Sequence, residues 1–247
     1  MRLYKRRKAH GLKPRKDNMQ KEQIKVLIAC EESQAICKEF RKLGIEAYSC
    51  DLQESSGGFP QWHIKSDCVP VIETGKFTTE DGKAHSVEKW TLIIAHPPCT
   101  YLSNAGACHL WRGHVLNKER YALGLKGKAF FMYFYNLRSC EHIAIENPIP
   151  SSIYELPKRS QIIQPYEYGH PYSKKTCLWL RGLTLLKPTN IITEHTPFMP
   201  SGSYRKNHDP KYKGCSRKGG SSRARSKTFE GIAQAMASQW LNYLLTL

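Results

Sequence analysis

The chain has 247 residues, enough to bury the core of one α/β domain. It has no stretch of eighteen apolar residues and no secretory signal, and its nine cysteines form no Cys-x-x-Cys pair, so membrane insertion, export, a zinc site and a disulfide framework are not expected. A net charge of +17 suggests an anionic partner. We therefore predict a cytoplasmic protein without a bound metal.

The positive charge is concentrated in two segments. Residues 1–23 carry nine Lys or Arg against Asp17 and Glu22, a charge of +7. Residues 205–227 carry nine against Asp209 alone, a charge of +8, which leaves only +2 for the remainder. The core is therefore predicted to be almost neutral.

Weak apolar periodicity in these segments predicts two basic arms. We expect a flexible N-terminal arm over 1–23 and a single domain over 24–247, in which 183–222 is a basic loop region. Such segments release counterions from phosphates and bind nucleic acid without reading its sequence. A solubilising tail or an import signal is the alternative. The predicted nucleic-acid contacts in the second arm are Arg205, Lys206, Arg217, Lys218, Arg223 and Arg225.

The first elements of the core follow a strand–helix–strand order. Apolar runs predict strands over 24–29 and 45–50, the second ending at Asp51. A helix is predicted over 34–43, with Gly44 placed to stop it. This order is how nucleotide-binding α/β folds begin.

The later elements extend the same pattern. A hairpin that turns at Asp81-Gly82 is predicted over 77–86. Further strands are predicted over 92–95, 142–145, 162–166 and 176–180, the last two as an antiparallel pair, and helices over 118–137 and 228–245. We therefore predict a mostly parallel sheet with helices on both faces.

Two of the predicted strands end at reactive side chains. Strand 92–95 leads into Pro97-Pro98-Cys99, and strand 142–145 leads into Glu146. Because the carboxyl ends of parallel strands form the ligand-binding edge, Cys99 and Glu146 are expected to face one site. A thiolate is a nucleophile, and partial burial would raise the pKa of Glu146 and make it a proton donor. The alternatives are a small buried cysteine and a structural carboxylate.

Further candidates lie near the same edge. Asp51 could accept hydrogen bonds from ribose hydroxyls, or could simply start a turn. The first loop, Cys30-Glu31-Glu32-Ser33, has two carboxylates and no glycine, which favours a ligand with hydroxyl and ammonium or sulfonium groups over a pyrophosphate. Lys174 and Lys175 could steady a phosphate or polarise a carbonyl, or could form an exposed basic turn.

The ordered motifs resemble those of the DNA cytosine C5-methyltransferases, in a small, phage-like form. Pro97-Pro98-Cys99 resembles the nucleophile motif of that family, Glu146-Asn147 its Glu-Asn motif, and Tyr168-Gly169-His170-Pro171 the segment before a later arginine. The similarity covers 24–180 and returns at 222–240, where the terminal helix resembles an element that packs beside the cofactor.

The resemblance implies a Rossmann-like S-adenosylmethionine-dependent methyltransferase fold and DNA as the partner. Cys99 would attack C6 of a flipped cytosine, and Glu146 would hydrogen-bond N3 and the amino group. Lys174 and Lys175 would contact DNA, and a monomer is favoured. A restriction-modification role and epigenetic marking are equally compatible with these residues. The implied cofactor contacts are Cys30, Glu31, Glu32, Ser33, Asp51, Asp67 and Pro97.

Three departures from the family keep other interpretations open. The glycine-rich first loop is replaced, Thr176 stands where an arginine is expected, and only about forty residues, 183–222, replace the sequence-reading domain. We therefore expect short or loose target sequences, with DNA held chiefly through its phosphates. The alternatives are a non-catalytic DNA-binding relative and a pyrimidine C5-methyltransferase acting on RNA or nucleotides, although a free nucleotide would not need basic arms.

Overall fold

The computed structural model describes residues 19–107, 109–197 and 226–247. These residues form thirteen strands: β1 (Lys25–Ala29), β2 (Glu46–Asp51), β3 (His63–Lys65), β4 (Lys76–Thr78), β5 (Ala84–Ser86), β6 (Leu92–Ala95), β7 (Trp111–Arg112), β8 (Val115–Leu116), β9 (His142–Pro148), β10 (Gln161–Ile163), β11 (Tyr172–Ser173), β12 (Thr176–Arg181) and β13 (Thr196–Pro197). Seven of them form the central sheet in the order β3-β2-β1-β6-β9-β12-β10, and the other six form three small two-stranded sheets.

The central sheet is parallel except at one strand. Strands β3, β2, β1, β6 and β9 pair in parallel, whereas β12 is antiparallel to both of its neighbours, β9 and β10. Numbered by their sequence within this sheet, the strands follow the order 3-2-1-4-5-7-6, with the seventh reversed. This mostly parallel sheet with one reversed strand is a Rossmann-like α/β architecture, and the prediction of that fold class is confirmed.

Helices cover both faces of the sheet. The described helices are α1 (Ala35–Lys42), α2 (Cys68–Thr74), α3 (Asn104–Ala107), α4 (Lys118–Asn136) and α5 (Glu230–Leu244). Alternate residues of β1 divide the core, since Val26 and Ile28 pack with α1 and α5, whereas Leu27 and Ala29 pack with α2 and α4. Each inner strand is therefore buried on both sides, which explains the continuous apolar runs in the sequence.

Most predicted elements are confirmed to within two residues at each end. The predicted apolar stripe of the terminal helix, Ile232, Met236, Trp240 and Leu244, is buried in the core. The hairpin β4–β5 turns at Asp81-Gly82, where Gly82 has a φ of 84°.

Strand β9 is longer than predicted. We placed its end at Ile145, but it continues through Glu146 and Asn147 to Pro148 because antiparallel β12 pairs with all three residues. Glu146 therefore lies inside a strand, with its backbone held in the sheet, and not in the loop after it. Strand β10 is shorter than predicted, because a 3₁₀ turn begins at Pro165.

Strand β3 and helix α2 were not predicted, since they are only three and seven residues long. Of the predicted N-terminal arm, the described residues form a 3₁₀ turn, Lys21–Gln23, and Met19 packs against the core. Residues 1–18 and most of the predicted basic loop lie outside the described residues. No helix in the described part of the chain is long and apolar enough to span a membrane.

Candidate active site

The register of three parallel strands brings distant side chains to one edge of the sheet. Ala95 of β6 pairs with Ala29 of β1 on one side and with Ile145 of β9 on the other. The residues that follow, His96 and Glu146, therefore begin at the same level of the carboxyl edge, where open α/β sheets bind their ligands.

His96 and Glu146 form a mostly buried pair. The Nδ1 atom of His96 lies 2.9 Å from Oε2 of Glu146, and the two side chains are only 12% and 19% exposed. A hydrogen bond between a buried imidazolium and a carboxylate is strong because little water competes with it. The pair fixes one carboxylate oxygen and leaves the other without a hydrogen bond to any described residue.

The pair shifts both pKa values in opposite directions. Burial alone would lower the pKa of His96, but the hydrogen bond and charge of Glu146, together with the charge of Glu31, raise it above its ordinary value. Burial alone would raise the pKa of Glu146, yet His96 and Lys174 hold it below its ordinary value. Our prediction that burial raises the pKa of Glu146 is therefore wrong, because His96 was not considered.

Cys99 is half-buried at the start of a helical turn. Its carbonyl accepts hydrogen bonds from the N–H groups of Leu102 and Ser103, at 3.1 and 2.9 Å. Burial raises the pKa of the Cys99 thiol, and the charge of Glu146 adds to this, while Lys174 acts in the opposite direction. The resting group is therefore a thiol, and a change in the charge around it is needed to favour the thiolate.

The two candidate lysines occupy different environments. The charge of Lys174 acts on His96, Cys99 and Glu146, and its Nζ atom lies 5.8 Å from the ring centre of Phe229. Lys175 is exposed. Of the two candidate lysines, Lys174 is therefore the one whose charge acts on this site. Thr176 is buried in β12, and its hydroxyl donates to the carbonyl of Lys174 at 3.3 Å.

Asn147 fixes the segment that leads to the thiol. Its Nδ2 atom donates a hydrogen bond of 2.8 Å to the carbonyl of Pro97, and both residues are buried. Because proline has a fixed φ, this bond and the two prolines restrict the path of the chain into Cys99. The buried Oδ1 atom of Asn147 has no hydrogen-bond partner among the described residues.

The first loop adopts the conformation of a glycine-rich turn without containing glycine. Cys30 and Gln34 have φ values of 61° and 56°, in the left-handed region that glycine usually occupies. The buried carboxylate of Glu31 accepts hydrogen bonds from the N–H groups of Ile36 and Cys37, at 2.7 and 3.3 Å, and so caps α1. Glu32 is also buried, and Ser33 is half-buried.

Two predicted acids stand at the ends of neighbouring strands. Asp51 ends β2, and its side chain accepts a hydrogen bond of 2.9 Å from the N–H of Gln53. Asp67 follows β3 and caps α2 by accepting from the N–H of Val69. Leu52, next to Asp51, is 74% exposed, so this edge offers an acid and an apolar surface side by side.

The segment before the terminal helix reaches the same edge. Lys227 Nζ donates to Ser56 Oγ at 2.9 Å, in the loop that follows β2. The N–H of Gly231 donates to Nε2 of His170 at 3.0 Å. A Cβ atom at position 231 would lie 1.9 Å from the carbonyl oxygen of Tyr168, so only glycine allows α5 to approach this closely.

A groove of about 510 Å³ opens at Tyr101, two residues after Cys99. Its wall includes Tyr101, whose ring lies 5.0 Å from the guanidinium of Arg120, and Trp111, which is 49% exposed. Trp111 belongs to the hairpin β7–β8, which was not predicted. Arg112 and Glu119 also line the groove, which combines aromatic and charged surface.

Six of the predicted nucleic-acid contacts cannot be placed. Arg205, Lys206, Arg217, Lys218, Arg223 and Arg225 lie outside the described residues. Within the described ranges, no group of three or more His, Cys, Asp or Glu side chains could hold a metal ion.

Three features of the site were not predicted: the contact of His96 with Glu146, the hydrogen bond from Asn147 to Pro97, and the exposure of Leu52. A signal for His96 was present, since a histidine directly precedes Pro97-Pro98-Cys99. Its contact with Glu146 could not be inferred without the register of β6 and β9.

No protein-family model matches the chain, and no curated protein matches it. Among solved structures, a crystal structure of a triple mutant of Spodoptera frugiperda DNMT2 aligns with 16% identity and a TM-score of 0.34. The alignment covers 72% of this chain and 56% of that one, so this chain spans about half the length of that protein. Similarity at this level does not identify an activity, and the fold assignment depends on the strand order of the central sheet.

Proposed function

We propose that the chain is an S-adenosylmethionine-dependent DNA cytosine C5-methyltransferase in which Cys99 bonds covalently to C6 of the base. The main support is the grouping of a thiol, a carboxylate and an ammonium group, from Cys99, Glu146 and Lys174, at the carboxyl edge of a Rossmann-like sheet. Covalent attack on a pyrimidine ring needs a nucleophile and a group that stabilises the charge developing in the ring.

Each of these side chains has a defined task in this reaction. Cys99 loses its proton and attacks C6, which makes C5 nucleophilic. Glu146 accepts a hydrogen bond from the amino group of the base with its unoccupied oxygen and, once it has been protonated, donates one to N3. Lys174 favours the thiolate by its positive charge. After C5 has been methylated, its proton leaves and the C6–S bond breaks, which frees Cys99.

The first three strands offer groups that suit S-adenosylmethionine. This cofactor has ribose hydroxyls, an adenine ring and two positive charges, and it supplies an electrophilic methyl group when bound. Asp51 is suited to the hydroxyls, and the exposed Leu52 to the flat ring. Glu32 and Asp67 add negative charge for a cationic ligand. The remaining proposed contacts are Cys30, Glu31, Ser33 and Pro97.

A nucleic acid is the substrate that best suits the surface around the thiol. The groove lined by Tyr101, two residues after Cys99, offers the half-exposed Trp111, and nucleic-acid bases stack on such side chains. The base has to leave the helix to reach a half-buried thiol. We propose that the basic arms hold the phosphates, with the enzyme acting as a monomer. The proposed contacts are Lys174, Lys175, Arg205, Lys206, Arg217, Lys218, Arg223 and Arg225.

The decisive experiment is trapping on an oligonucleotide that contains 5-fluorocytosine, in the presence of S-adenosylmethionine. Fluorine at C5 blocks the final elimination, so the enzyme should remain bonded to the base. Mass spectrometry of the digested adduct should find the bond at Cys99. No adduct on any sequence in a randomised duplex library would contradict the proposal.

The same experiment separates the alternatives. An adduct formed faster on an RNA oligonucleotide of the same sequence would identify RNA as the substrate. Tight DNA binding without an adduct, and without binding of S-adenosylmethionine by calorimetry, would identify a non-catalytic DNA-binding relative.

A further inference from the structure

His96 is held firmly in a position that the proposed reaction does not yet explain. Its backbone N–H donates to the carbonyl of Ala29 at 2.9 Å, which extends the pairing of β6 with β1 by one residue. Pro97 follows and fixes the chain on the other side. The imidazole is thereby held against Glu146, the carboxylate proposed to contact the base.

The imidazole has charged groups on several sides. Glu146 faces it from β9, Glu31 from the first loop and Lys174 from the segment before β12, and Cys99 lies three residues further along the chain. Its Nε2 atom is buried and has no hydrogen-bond partner among the described residues. Among the described residues, Glu146 alone hydrogen-bonds the ring, and the proton on Nδ1 is shared with that carboxylate.

Building on the proposed function, we propose that His96 is a positioning residue that delivers a proton through Glu146 to N3 of the bound cytosine. A carboxylate that is ionised in the resting site cannot itself donate a proton to the base. The adjacent imidazolium can restore that ability, because its Nδ1 proton already points at Oε2 of Glu146.

Each proton that moves in this cycle has a defined source and destination. The Cys99 thiol first releases its proton to water, and the resulting thiolate forms the S–C6 bond. As this bond forms, the Nδ1 proton of His96 moves to Oε2 of Glu146, and the resulting carboxyl group turns that O–H toward N3 and donates the same proton to it. His96 is then neutral and Glu146 is again a carboxylate. When the C6–S bond breaks at the end of the cycle, the N3 proton returns to the pair, and the proton from C5 goes to water.

The test compares His96→Asn with the wild type across a range of pH. Asparagine has an N–H donor close to the position of Nδ1 but cannot hold an extra proton, so it preserves the hydrogen bond and removes the proton supply. The rate of adduct formation on 5-fluorocytosine DNA should fall on the order of 10²-fold near neutral pH, the usual contribution of a general acid. The alkaline decline in the rate should also move to lower pH, because Glu146 must then be protonated from solution.

His142→Asn is the matched control. His142 is also buried and hydrogen-bonded, to the carbonyl of Gly182 at 2.6 Å, but it lies at the opposite end of β9. The His142→Asn variant should lose folding stability, whereas the pH dependence of its adduct formation should stay as in the wild type. Urea unfolding of both variants separates folding effects from chemical effects.

Three results would be informative in different ways. A shifted profile in His96→Asn alone supports the inference. A wild-type profile in His96→Asn, with adduct still formed at Cys99, overturns the role of His96 and leaves the proposed function intact. If the wild type forms no adduct at all, the proposed function fails and this inference fails with it.

Discussion

The carboxylates in the two halves of the carboxyl edge have different kinds of partner. In the half formed by β1, β2 and β3, the side chains of Asp51 and Asp67 accept hydrogen bonds only from backbone N–H groups among the described residues. In the half formed by β6, β9 and β12, Glu146 lies against His96 and within reach of the charge of Lys174. We call these the acidic half and the reacting half.

This difference indicates what each half is suited to do. The acidic half presents negative charge that no described lysine or arginine neutralises by direct contact at Asp51 or Asp67, which suits a cationic ligand. In the reacting half the carboxylate of Glu146 is paired with His96, so a proton can move between these two side chains without a change in total charge. If the halves are independent, substitutions should affect either ligand binding or chemistry, but not both.

The largest effect is expected for Cys99→Ser. A serine hydroxyl is a far weaker nucleophile than a thiolate, so methyl transfer should fall by roughly 10³-fold or more. Binding of S-adenosylmethionine, measured by calorimetry, should stay within about twofold because the acidic half is untouched. Methyl transfer near the wild-type rate in a tritium assay would show that Cys99 is not the nucleophile.

Asn147→Ala should impair the reacting half indirectly, because Asn147 anchors the segment that leads to Cys99. The variant loses the 2.8 Å hydrogen bond and leaves the buried carbonyl of Pro97 without this partner, at a cost of about 1–3 kcal/mol in unfolding free energy. The position of Cys99 should loosen, and adduct formation should slow. Asn136→Ala, at the exposed end of α4, is the control and should change stability by less than about 0.5 kcal/mol. Equal effects of the two substitutions in urea unfolding would contradict this role.

Asp51→Asn tests the acidic half. Asparagine keeps the shape and the bond to Gln53 but removes the charge, so the affinity for S-adenosylmethionine should fall about tenfold, or ~1.4 kcal/mol. Asp81→Asn, in the turn of the β4–β5 hairpin, is the matched control for loss of one negative charge. Calorimetry should show weaker binding only for Asp51→Asn. An equal loss in both variants would mean that the effect reflects the overall field of the protein.

Trp111→Ala should weaken DNA binding by about tenfold, because base stacking on an aromatic side chain contributes ~1–3 kcal/mol. Trp111→Phe keeps a stacking surface and should retain most of the affinity. Fluorescence anisotropy with a labelled duplex measures both. If the two variants bind equally well, stacking at the groove does not contribute.

The smallest effect is expected for the pH dependence of the contribution that the His96–Glu146 pair makes to folding stability. The lowered pKa of Glu146 gives stability that is present above its ordinary value of 4.5 and is lost as pH falls through the folded value. The raised pKa of His96 gives stability that is complete below its ordinary value of 6.5 and is lost as pH rises through the folded value. The pair should therefore stabilise most between pH 4.5 and 6.5, by roughly 1 kcal/mol. Urea midpoints of His96→Asn should lack this optimum.

The parts of the fold set by local apolar pattern could be predicted from the sequence. Strand β6 matches its prediction, and β1, α1 and α5 agree closely, because each is a buried run or an amphipathic stretch. The end of β9 could not be predicted, since Glu146, Asn147 and Pro148 are unusual strand residues that stay in the sheet through pairing with β12.

The candidate site was predictable in its residue types but not in its internal contacts. The position of Cys99 and Glu146 near one edge follows from the rule that strand ends share an edge. The hydrogen bond between His96 and Glu146 depends on the register of β6 and β9, which sequence does not specify. Cys30 and Gln34 adopt the left-handed backbone conformation, which residues other than glycine rarely adopt. The conformation of the first loop could therefore not be predicted from its residue types.

The packing of α5 against α1 has a consequence for biosynthesis. The ribosome completes α1 about 200 residues before it completes α5, yet Phe40 of α1 and Trp240 of α5 belong to the same buried cluster. Until α5 has been synthesised, one side of the nascent sheet is covered by α1 alone and exposes apolar surface to the cell. Such late closure slows folding and invites aggregation, so production of this chain should benefit from lower growth temperature or added chaperones.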